Sequence, residues 1–82
     1  MTDENTSNPS KTIDARGLYC PEPVFRTKIE MEKLSIGETI KVIADDPESE
    51  EDISRWANRN GHNLISIEKN DGELVFTIKK AK

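Results

Sequence analysis

Asp14-Ala-Arg-Gly-Leu-Tyr-Cys-Pro-Glu-Pro-Val24 turns a strand-like run into a helix-like one around the only cysteine of the chain. Upstream, Lys11 to Arg16 alternates: Ile13 and Ala15 fall on one side, and Thr12, Asp14 and Arg16 on the other, as in a short half-buried strand. Gly17 ends that run. Downstream, Pro21 and Pro23 suit a helix start, since proline fixes φ near the helical value and its absent N–H would be unpaired in the first turn anyway. This reading puts Cys20 near the N-cap, with its sulfur at the positive end of the helix dipole. A helix N-terminus stabilises a negative group by about 0.3–1 kcal/mol, and by up to about 2 kcal/mol when the group is partly buried. The thiol is therefore expected to ionise more readily than a free one, and the thiolate is its nucleophilic form. Pro21 and Pro23 remove two amide donors, so the loop is a weaker anion nest than a glycine-rich one. The competing reading is structural, because a lone cysteine is often a small buried hydrophobe. A strand-to-helix loop with Gly17 before it and two prolines after it argues for exposure instead.

Working outward, the first helix is expected from Pro21 to Leu34, stopped by Ser35-Ile-Gly37. At about 100° per residue, Val24, Thr27, Met31 and Leu34 form its core stripe, while Phe25 and Ile29 fall on a second one. The second stripe is read as packing over a wide arc; the functional alternative is a docking patch made by Phe25, Arg26 and Ile29 beside Cys20. Lys11, Arg16, Arg26 and Lys28 make this part of the chain locally positive, which favours a thiolate and an acidic partner surface. Thr39 to Ala44 alternates again, with Ile40, Val42 and Ala44 inward. Asp46-Pro47 opens a second helix, Asp46 as N-cap and Pro47 as first residue, with Ile53, Trp56 and Ala57 as its core face and Asn60-Gly61 as its stop. Six of the eight residues from Asp45 to Asp52 are acidic. Acids gather at helix starts for the helix's own stability, and the spacing is not that of a calcium loop, so no metal site is read here. His62 reads as a solvated connector. Asn63 to Lys69 and Glu73 to Lys79 are two strands joined through Asn70-Asp-Gly72, with Ile65 and Ile67 facing Leu74, Phe76 and Ile78.

The order is β-α-β-α-β-β. The simplest packing is a two-layer α/β sandwich, both helices on one face of a four-stranded mixed sheet. Met1 to Ser10 is polar and aperiodic and is expected to be a disordered leader, with residues 11–82 forming one domain. With 82 residues and one cysteine, the chain has no internal disulfide and no four-ligand zinc set, so packing alone must supply its stability. The net charge of −4 is opposite to the basic footprint of a stand-alone nucleic-acid binder. No apolar run reaches membrane-span length and no signal pattern opens the chain, so a cytoplasmic, reduced setting is expected, and a monomer.

Asp14, Gly17, Leu18, Cys20, Pro21 and Pro23 together resemble the Asp-x-x-Gly-Leu-x-Cys-Pro-x-Pro pattern of the TusA/SirA-like sulfur-carrier family. Gly37-Glu38 and Ala44-Asp-Asp-Pro47 add matches at that family's spacing, and the resemblance runs from about Ile13 to Lys79. It implies the same two-layer architecture. It also implies a persulfide on Cys20, received from a cysteine desulfurase or rhodanese-like donor and passed to an acceptor protein, in tRNA thiolation, molybdenum-cofactor maturation or sulfur oxidation. Gly17, Arg16, Pro21, Glu22 and Pro23 would support that cysteine, and Asp45 and Asp46 read as structural. The chain departs from the family at Arg26 and Thr27, where the first helix is often apolar.

The residues themselves narrow the chemistry. Cys-Pro-Glu-Pro lacks the resolving thiol of a Cys-x-x-Cys redox site, and no partner for acyl transfer is evident. Covalent carriage remains, without a resident cofactor, by a carrier rather than a stand-alone turnover enzyme. Two other classes stay open: a non-catalytic regulatory or binding module in which Cys20 only caps a helix, and a redox or selenium-handling relative using the same thiol.

Overall fold

The computed structural model describes residues 11–19 and 21–82. The readings on the Met1–Ser10 leader and on Cys20 itself lie outside the described residues. Six elements follow in the expected order: β1 (Lys11–Asp14), α1 (Glu22–Glu32), β2 (Thr39–Ala44), α2 (Ser49–Arg59), β3 (Asn63–Asn70) and β4 (Glu73–Lys79). They form the two-layer α/β sandwich, with strand order β1-β2-β4-β3 and both helices packed on the sheet and on each other. β1 runs parallel to β2, and the other two pairings are antiparallel.

Alternation built the sheet as expected. Ile40, Val42 and Ala44 of β2 and Leu74, Phe76 and Ile78 of β4 are buried, paired Ile40↔Ile78, Val42↔Phe76 and Ala44↔Leu74. Ile13, Ala15, Met31, Ile53 and Ala57 complete the core, with Trp56 partly buried against it. The β3–β4 hairpin turns on Asp71 and Gly72, both at positive φ (48° and 84°), the backbone of a type I′ turn that Asp-Gly favours. α2 ends as Asn60-Gly61 led us to expect: His62 N–H donates to the Ala57 carbonyl (2.9 Å) and Gly61 N–H to that of Asn58 (3.2 Å), the paired bonds of a Schellman stop.

Several details differ. α1 starts at Glu22, with Pro21 rather than residue 20 in the N-cap position, because Glu22 N–H closes a turn on the Tyr19 carbonyl (2.8 Å) and the helical ladder begins with Phe25 N–H on Pro21 (3.1 Å). It stops at Glu32, two residues short of Leu34, where the last turn tightens into Lys33→Glu30 and Leu34→Met31 backbone bonds. α2 starts at Ser49 with Glu48 in the N-cap position, so neither Asp46 as cap nor Pro47 as first helical residue holds: the two lie in a tight turn before the helix, where Ser49 N–H donates to the Asp46 carbonyl (2.9 Å) and Glu48 N–H to the Asp46 carboxylate (3.1 Å). In β3 a bulge between Leu64 and Ser66 leaves Ile65 out of register and 56% exposed, so Leu64 and Ile67 take the inward positions.

His62 is not a solvated connector. Its ring lies on Trp56 (centroids 5.4 Å apart), and its Nδ1 accepts Ala81 N–H at 3.2 Å. Burial, then the charges of Lys80 and Lys82, push its pKa below the usual histidine value. The unfolded chain therefore takes up this proton at a higher pH than the folded one, and stability is lost as pH falls from about 6.5 toward the folded value. In urea titrations across that range, the midpoint of the wild type is expected to decline and that of His62→Gln to stay flatter. Parallel curves would remove His62 as the cause.

Candidate functional site

The site is built at the end of the sheet where β1 and β2 both finish. Ala15 N–H extends the parallel ladder by donating to the Ile43 carbonyl (2.7 Å), and Leu18 N–H turns back onto Ala15 (3.2 Å) while the Leu18 side chain packs on the core. Gly17, between them, sits at φ +84°, with nothing within 4 Å of the position a Cβ would take. Its glycine therefore answers a backbone requirement rather than a lack of space. Its N–H donates to Asp45 Oδ1 (2.9 Å), from the loop after β2. The structural reading of Asp45 and Asp46 thus acquires definite partners, one in each loop.

Arg16 is tied down twice. Its Nε and one terminal nitrogen grip Asp14 (2.8 and 2.9 Å), and the other reaches Glu73 Oε2 (3.2 Å) at the start of β4. The hydrogen-bonding guanidinium holds the Asp14 carboxyl down at about 2, and the carboxylates push the Arg16 pKa up in turn. Lys11 lies 3.7 Å from Glu30. Two of the four cations expected to make this region positive are therefore matched by carboxylates. Among the described residues, no ion pair involves Arg26 or Lys28.

Tyr19 and Pro21, the two described neighbours of position 20, are exposed, Tyr19 at 76%. Glu22 is exposed as the first helical residue, whereas Pro23 is buried and anchors the helix start. Thr27, a polar residue in the core stripe, is fully buried, and its hydroxyl donates to the Pro23 carbonyl at 2.8 Å. That bond explains how the stripe tolerates it. Phe25 and Ile29 do not pack over a wide arc: they remain 57% and 51% exposed on the outer side of α1, one turn apart, with Arg26 also exposed. That side of α1 therefore carries exposed apolar surface. A residue the sequence reading missed is Lys80, whose Nζ donates to the Met31 and Leu34 carbonyls (3.0 and 2.7 Å) and so caps the C-terminal end of α1.

The model of the family described as sulfurtransferase TusA matches residues 11–80. The chain belongs to this family. A protein of Archaeoglobus fulgidus, named only as a candidate sulfur carrier, is 47% identical over 73 residues, which cover 88% of this chain and 95% of its own. The sulfur carrier protein TusA of Pseudomonas putida is 38% identical, over 88% of this chain and 90% of its own. Among solved structures, the crystal structure of a SirA-like protein from Desulfitobacterium hafniense superposes with a TM-score of 0.77 at 32% identity, covering 88% of this chain and 99% of that one. No helix among the described residues is long and apolar enough to cross a membrane.

Proposed function

We propose that this chain is a sulfur carrier that holds sulfane sulfur as a persulfide on Cys20, in a reducing, cytoplasmic setting. The observation that carries the reading is the TusA-family match over residues 11–80, a span that contains the chain's only cysteine. The exposure of Tyr19 and Pro21 supports it, because a carrier must bring its sulfur within bonding distance of two different proteins. Loading is a displacement: the Cys20 thiolate attacks the outer sulfur of a donor persulfide, a new S–S bond forms as the donor's breaks, and the donor leaves as a thiolate. Delivery repeats the step with an acceptor thiolate attacking the outer sulfur on Cys20. Neither step consumes an oxidant or a reductant, and no resident cofactor is needed. The donor is a cysteine desulfurase or rhodanese-like protein. Phe25, Arg26 and Ile29 are the contact surface for it or for the acceptor. Gly17, Arg16, Pro21, Glu22 and Pro23 support the loop, and Arg16 does so as part of a paired network rather than as a free charge.

The test is intact mass after incubation with a cysteine desulfurase, cysteine and pyridoxal phosphate. A gain of one sulfur that is reversed by a thiol reductant and blocked by prior alkylation is the expected result, and the mass itself separates sulfur from selenium or oxygen. No gain with several donors, from protein whose cysteine still alkylates, would leave the binding-module reading instead.

A further inference from the structure

Resting on the reading of Cys20 as the sulfur site, we propose that Asp45 is a positioning residue for sulfur transfer: by accepting the Gly17 N–H it fixes the course of the loop that presents the thiol to a partner protein. Glycine has more backbone freedom than any other residue, and Gly17 occupies the left-handed region with no side chain of its own to hold it there. An acceptor from outside the loop is what selects one orientation of that peptide. Asp45 supplies it at 2.9 Å across 28 residues of sequence. Among the described residues the other side-chain link from this turn to a distant segment is Arg16 to Glu73, made through a long exposed side chain that leaves the backbone free to shift. Asp45 acts on the backbone itself. Its position directly after Ala44, the last residue of β2 and fully buried, gives the acceptor a rigid base.

A thiol that must meet a partner's sulfur in line depends on aim, whereas a small reagent that can approach from any side does not. Charge is a separate matter, because any carboxylate disfavours a thiolate that comes close to it. Asp45→Asn removes the charge and keeps an oxygen acceptor; Asp45→Ala removes both. The experiment measures single-turnover sulfur transfer from a persulfidated desulfurase, with alkylation by iodoacetamide and thermal melting on the same preparations. Asp45→Ala is expected to accept sulfur roughly 5- to 10-fold more slowly than Asp45→Asn, while the two alkylate within about twofold of one another. Equal transfer rates would overturn the proposal. So would a parallel fall in alkylation, because the effect would then lie in the thiol and not in its presentation. Should Asp45→Ala fail to fold, Gly17→Ala strains the same turn from the other side and is expected to show the same split; unaffected transfer in it would overturn the proposal equally. A wild type that accepts no sulfur in this assay would overturn the carrier reading and this inference with it, an outcome distinct from loading that is indifferent to Asp45.

Discussion

Phe76→Ala is expected to lower the unfolding free energy by about 3–5 kcal/mol, the range for truncating a buried aromatic ring. Among the described residues Phe76 is the largest fully buried side chain, on the β4 strand that pairs with both β2 and β3, opposite Val42 on one side and Ile67 on the other. Neither strand can close over the gap without losing its own register. A domain of this size buries only about 60% of its unfolded surface, and typical total stabilities are about 5–15 kcal/mol, so this one ring carries a large share. A thermal melt should fall by at least about 12 °C. The chain's other phenylalanine makes the control. Phe25 is 57% exposed on α1, and Phe25→Ala should leave stability within about 0.5 kcal/mol of wild type while slowing sulfur exchange with a partner protein. If both variants melt alike, the division of the chain into a packed core and a contact surface is wrong.

The fold was legible in the sequence wherever a short-range pattern encodes it. Ile40, Val42 and Ala44 alternate, Asp71-Gly72 meets the φ requirement of a two-residue hairpin, and Asn60-Gly61 supplies the left-handed residue that ends α2. Each of these is decided by residues within a few positions of one another. What stayed hidden depends on residues brought together only by folding. Lys80 caps α1 from 46 and 49 residues away, and Arg16 meets Glu73 across 57. Ile65 obeys the alternation of β3 in sequence and loses it in space, because the bulge adds one residue to the strand. Near position 20 the motif was readable but its electrostatics were not. Counting cations made residues 11–29 positive, whereas the fold pairs Lys11 and Arg16 with carboxylates from α1, β1 and β4. Two of the four cations that the count relied on are thus matched by carboxylates.

Cys20→Ser is expected to abolish sulfur loading, leaving no mass gain under conditions in which the wild type takes up one sulfur. A serine hydroxyl is not ionised near neutral pH and cannot hold sulfane sulfur in an S–S bond, and the chain has no second cysteine to take over. The loss should therefore be complete rather than graded. On the proposed reading, docking rests on the α1 surface and not on the thiol. With Phe25, Arg26 and Ile29 unchanged, the serine variant should still occupy a donor and slow loading of the wild type when added in excess, while adding Phe25→Ala to it should relieve that inhibition. Chemistry and recognition are then separated within one assay. A serine variant that loads normally would move the sulfur off position 20. One that neither loads nor competes would place Cys20 in the contact surface as well as in the transfer.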